Sequence, residues 1–128
     1  MKGFVADIED LTEENTDFRR VLYTGHHLQL VLMALKPGEE IGLETHDDVD
    51  QFIRVEAGHG TAFLDGKEAP LEDGAVVVIP AGTKHNITNT SRTDALKLYT
   101  LYSPPEHPDG TIHKGKAEAD AYERKHHR

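Results

Sequence analysis

The chain contains no cysteine. Disulfides, thiolate metal sites and thiol nucleophiles are therefore excluded, and a reducing compartment fits. Basic residues are also scarce. The 14 Lys and Arg face 23 Asp and Glu, for a net charge of −9. A protein that grips DNA, RNA or an anionic membrane needs basic patches, so none of these is the expected partner. Long hydrophobic runs are absent too. Nothing approaches the roughly 18 consecutive apolar residues of a membrane span. The start, from Met1 to Asp7, turns acidic before any apolar run of signal length develops. These absences point to a cytoplasmic domain whose partner is a small molecule.

What is present fits one domain. A chain of 128 residues can bury roughly two-thirds of the surface it exposes when unfolded. Residues 1–17 read as an acidic N-terminal arm with a helical turn. From Phe18 onward, short apolar runs alternate with Gly, Pro and Asn/Asp breaks, the pattern of an all-β domain. The runs are 19–24, 28–35, 42–46, 51–57, 61–64, 75–79, 85–89 and 96–102. Asp65-Gly66 is a hairpin signal, because a tight primed turn needs positive φ. Eight strands over residues 18–103 suit a jelly-roll barrel, a double-stranded β-helix. Residues 104–128 read as a turn-rich loop followed by a short helix over 116–128. Acidic residues lie early in that helix and basic ones late, complementing its dipole.

Residues 28–35 are nearly continuously apolar. A strand apolar on both faces is covered on both. A homodimer covering one sheet is the expected answer to that need; the chain's own N-terminal arm is the alternative.

Two segments carry chemistry. In the first, Glu44 and His46 share a strand face because they are two residues apart. Asp47 to Asp50 then turn the chain, and Gln51 opens the next strand on the same face as Ile53 and Val55. In the second, Gly74, Pro80, Gly82, His85 and Asn89 read G-x5-P-x-G-x2-H-x3-N. Two imidazoles with one carboxylate form a standard open metal site. Glu44, His46, Gln51 and His85 are the candidate ligands, and Glu44 is also the candidate catalytic acid or base.

These segments resemble the two motifs of the cupin superfamily. The second motif is matched completely. The first, G-x5-H-x-H-x3-4-E-x6-G, is matched at Gly38, His46 and Gly58. Glu44 stands where the family has its first histidine, and Gln51 where it has its glutamate. The resemblance implies a divalent transition metal, Zn, Mn, Fe, Ni or Co. With Gln and Glu interchanged, the set is similar to the zinc ligands of type I phosphomannose isomerases, which are much longer proteins. Three activities follow as expectations: an isomerase-like metal enzyme on a sugar-like substrate, a non-haem metal oxygenase, or a non-catalytic sugar-binding cupin in which Glu44 and Gln51 bond each other.

Other residues are weaker candidates. Asp47, Asp48 and Asp50 read as a solvated loop. If they rim the pocket instead, an anionic substrate would need Arg54, Lys84, Arg92 or Lys97 to supply positive charge. His59 reads as exposed, while His26 or His27 is placed to face the pocket. Gln29, Tyr99 and Tyr102 are candidate wall residues. His107 and His113 are candidate proton shuttles, if the C-terminal segment folds over the barrel mouth.

Overall fold

The computed structural model describes residues 1–126. The N-terminal arm carries helix α1 (Ile8–Glu14), capped by the Asp7 carboxylate accepting from the Asp10 N–H at 3.2 Å. Nine strands follow among the described residues: β1 (Arg19–Thr24), β2 (Gln29–Leu35), β3 (Asp50–Ala57), β4 (Gly60–Leu64), β5 (Lys67–Leu71), β6 (Val76–Ile79), β7 (His85–Asn89), β8 (Leu96–Ser103) and β9 (Ile112–His113). Helix α2 (Lys116–His126) closes the chain; the last two residues of the expected 116–128 helix lie outside the described residues.

Two antiparallel sheets face each other, one ordered β6-β3-β8-β2-β1-β9 and the other β5-β4-β7. Their inward residues form one core that includes Val31, Met33, Leu35, Ile53, Val55, Ile87 and Leu98. This is the expected β-barrel with a short C-terminal helix. No helix among the described residues is long and apolar enough to cross a membrane.

The expected strand at residues 42–46 does not form as a regular element. The segment runs beside β7 through two isolated bridges, Glu40 to Thr88 and Glu44 to His85. Gly42 interrupts the ladder between them. It sits at φ 116°, and its N–H is taken by the Asn86 side chain at 2.9 Å. Two strands appear where none was expected. β5 is charged, mostly exposed and contains Pro70, which an edge strand tolerates. β9 brings residues 112–113 back against β1, so the C-terminal segment is not only loop and helix.

The Asp65-Gly66 turn joins β4 and β5 with both φ values positive, as expected. Gly58 serves a different need. At φ 92°, a Cβ there would lie 2.5 Å from the Ala95 carbonyl oxygen. The close approach of β8 therefore requires glycine at this point.

The outer face of β2 is covered from within the chain. Leu32 is buried yet lies outside the barrel core, and α1 packs on β2, β3 and β8. Leu11 of the helix shares a cleft with Leu32. The arm thus covers the outward-facing Leu32 of β2.

Candidate metal centre

Glu44, His46 and His85 converge from two chain segments. One potential ligand atom of each lies within 4.8 Å of the others. Glu44 Oε1 is 3.7 Å from His46 Nε2 and 4.0 Å from His85 Nε2. The scaffold beneath them is tight. The Glu44 and His85 backbones exchange two hydrogen bonds, each 2.9 Å. The Pro80-Ala81-Gly82 turn is pinned by the His46 carbonyl, which accepts from Gly82 N–H at 2.7 Å. Asp50 Oδ1 accepts from Ala81 N–H at 2.8 Å.

The tautomers follow from the partners. His85 Nδ1 lies 2.8 Å from the Thr83 carbonyl oxygen. A carbonyl only accepts, so Nδ1 carries the proton and Nε2 is a bare acceptor. His46 Nδ1 faces the Glu106 carboxylate at 3.4 Å, an ion-pair distance, which favours the same tautomer.

Five buried side-chain polar atoms lack a hydrogen-bond partner among the described residues, and three of them are His46 Nε2, His85 Nε2 and Gln51 Oε1. Gln51 donates one Nε2–H to Thr100 Oγ1 at 3.0 Å. Gln51 pairs across the ladder with Tyr102, whose ring packs edge-on to His46 at 6.1 Å. Orphaned buried polar atoms cost free energy. Two imidazole nitrogens without hydrogen-bond partners, each within 4.0 Å of the Glu44 carboxylate, fit a cation. This donor chemistry matches a divalent transition metal and does not select one.

Burial opposes ionisation of Glu44, but His46, Arg19 and His85 outweigh it and hold its carboxyl below the ordinary value. The neighbouring Glu44 raises His46 despite burial, with help from Glu106. Burial keeps the Tyr102 hydroxyl protonated well above its usual range. Burial, with Arg19 and His46, pushes His107 down to about 3.

Two residues of this environment escaped the sequence reading. Arg19 is buried on β1, donates to His113 Nδ1 at 3.2 Å, and places its charge where Glu44, Tyr102 and His107 feel it. Its alternation with the core residue Val21 was the available signal. Glu106 had none, standing alone in a turn-rich loop. Several expectations are corrected. Tyr99 lies on the outer face against Phe52, with ring centroids 6.4 Å apart. His26 and His27 are exposed and do not face the pocket, whereas His59 is exposed as expected. His113 sits on β9 between Arg19 and Tyr122, outside the ligand cluster. His107 does reach the site's wall, with Nε2 3.4 Å from the Tyr102 hydroxyl. Its depressed basicity makes it a poor proton shuttle near neutral pH. Asp47, Asp48 and Asp50 are exposed, as expected of a solvated loop. The clefts beside α1 and beside Lys36 include none of the cluster residues.

The family described as Cupin domain matches residues 31–102. The chain is a member of the cupin family. This cupin is 47% identical over 128 residues to the uncharacterized protein YrkC of Bacillus subtilis, covering 95% of this chain and 68% of YrkC. It is 50% identical over 113 residues to the uncharacterized protein L612 of Acanthamoeba polyphaga mimivirus, covering 85% of this chain and 70% of L612. The crystal structure of BH2720 from Bacillus halodurans superposes on the cupin with a TM-score of 0.91 at 47% identity. The match covers 94% of this chain and 95% of that one.

Proposed function

We propose that this cupin holds one divalent transition-metal ion through Glu44, His46 and His85, with Gln51 Oε1 as fourth donor, and acts on a small oxygenated, sugar-like substrate in an isomerase-like reaction. The observation that carries this reading is the pair of buried, unpartnered imidazole Nε2 atoms beside the Glu44 carboxylate. With two neutral imidazoles and one carboxylate, the bound site would keep a net charge of +1. An ion held there would supply Lewis acidity toward a substrate carbonyl or hydroxyl.

The chain's own residues supply the rest. Glu44, held ionised, would serve as a ligand to the ion and as the group that moves a proton. Tyr102 stays protonated and presents a hydroxyl at the wall, and neutral His107 fixes that hydroxyl. Arg19 adds a buried positive field, which favours an oxygenated or acidic substrate over a cationic one. The likeness of the ligand set to the phosphomannose isomerase zinc site supports the sugar-like substrate.

A second reading has its own observation. The cluster within 4.8 Å is two histidines and one carboxylate, the ligand set of non-haem iron oxygenases. Elemental analysis with oxygen uptake separates the two. Zinc or manganese, with aldose–ketose interconversion and no oxygen consumption, is the expected result. Iron with substrate-dependent oxygen uptake would favour the oxygenase. Absence of metal after reconstitution would sink both and leave a non-catalytic sugar-binding protein.

A further inference from the structure

After β8 the chain turns back over the barrel, and one buried amide holds it there. Gln29, with 0% of its surface exposed, uses all four of its hydrogen-bonding positions. Its Oε1 accepts from the Glu106 N–H at 3.1 Å and the His107 N–H at 3.0 Å. Its Nε2 donates to the His107 carbonyl at 2.7 Å and to Thr24 Oγ1 at 3.0 Å. Three of these four bonds grip the backbone of residues 106–107. The backbone so gripped delivers Glu106 Oε2 to 3.4 Å from His46 Nδ1, on the ring edge away from Nε2.

We propose that Glu106 is the positioning residue of His46 and that Gln29 is the clasp that keeps it in place. The carboxylate draws the ring proton to Nδ1, leaves Nε2 bare toward the cluster, and makes that nitrogen a stronger donor to a cation. Thr83 does the first of these for His85 through a neutral carbonyl. The two imidazoles are thus held by acceptors of different charge, and His46 is the more basic ligand by design of its partner. Outer partners of this kind set ring orientation and change metal affinity about 10–100-fold. The inference rests on the metal-site reading above and deepens it.

The test uses the full chain, Co²⁺ as probe, and the ¹⁵N shifts of the His46 ring in metal-free protein. The parent is expected to show His46 protonated at Nδ1. Glu106→Gln keeps an accepting oxygen, so it should retain that tautomer while binding Co²⁺ about tenfold more weakly. Glu106→Ala should lose the tautomer and bind about 10–100-fold more weakly. Gln29→Ala should weaken Co²⁺ binding in the same direction. The double variant Gln29→Ala/Glu106→Ala should bind no worse than Glu106→Ala alone, because the clasp acts through the carboxylate. An unchanged tautomer with unchanged Co²⁺ affinity in Glu106→Ala would overturn the proposal. So would losses from the two single variants that simply multiply. If the parent binds no Co²⁺, the metal reading fails, and the His46 tautomer in metal-free protein still decides whether Glu106 orients the ring.

Discussion

Glu44 and His85 are joined twice. Their backbones exchange two 2.9 Å hydrogen bonds, and their side chains meet with Oε1 4.0 Å from Nε2. A reciprocal backbone pair fixes both Cα positions, so the carboxylate and the imidazole have little freedom to separate. The site therefore sits on ladder geometry rather than on a mobile loop, although the strand expected at residues 42–46 reduces locally to this one bridge.

Gln51 separates a ligand from a bystander. Replacing it with Leu removes Oε1 and leaves the barrel's apolar packing in place. Divalent-metal affinity is expected to fall about tenfold, which is about 1.4 kcal/mol. Isothermal titration of the parent and the variant checks this. Equal affinities would remove Gln51 from the ligand set.

Asn89 closes the second motif, yet its work is structural. It is fully buried, and its amide donates to the Leu35 and Asp94 carbonyls and accepts from Ser91 N–H. Asn89→Ala strands three backbone groups. The expected loss is about 3 kcal/mol of folding stability. Metal affinity of the folded fraction should not change. Urea unfolding gives the first quantity and metal titration the second.

His107 gives a pH signature. Folded, it titrates at about 3 instead of the ordinary 6.5, chiefly because of burial. Between those values the unfolded chain takes up a proton that the folded chain refuses. The histidine's contribution is fully present above pH 6.5 and is lost as pH falls toward 3, by at most about 1.4 kcal/mol per unit. His107→Gln should flatten the stability profile across that window. Parallel profiles for parent and variant would contradict the assignment.

Much of this was legible in the residues. The β1 and β7 bounds follow from their apolar runs, and the turn chemistry of Asp65-Gly66, Pro80 and Gly82 punctuates the barrel correctly. Parity along β8 also distinguishes Tyr102 from Tyr99, since residues three apart on a strand lie on opposite faces. What the residues hid was long-range. Glu106 reaches His46 from 60 positions away only because Gln29 holds the return loop, and no spacing rule encodes that contact. β5 was missed because its exposed, charged sequence has no core face to pattern.

The central claim is that His46 and His85 are metal ligands. Titrating Co²⁺ into the metal-free chain, with its visible absorption as readout, tests it most directly. The account predicts saturation at one ion per chain and loss of the signal in His46→Ala/His85→Ala, with the fold intact by circular dichroism. An undiminished Co²⁺ spectrum in the double variant would contradict it.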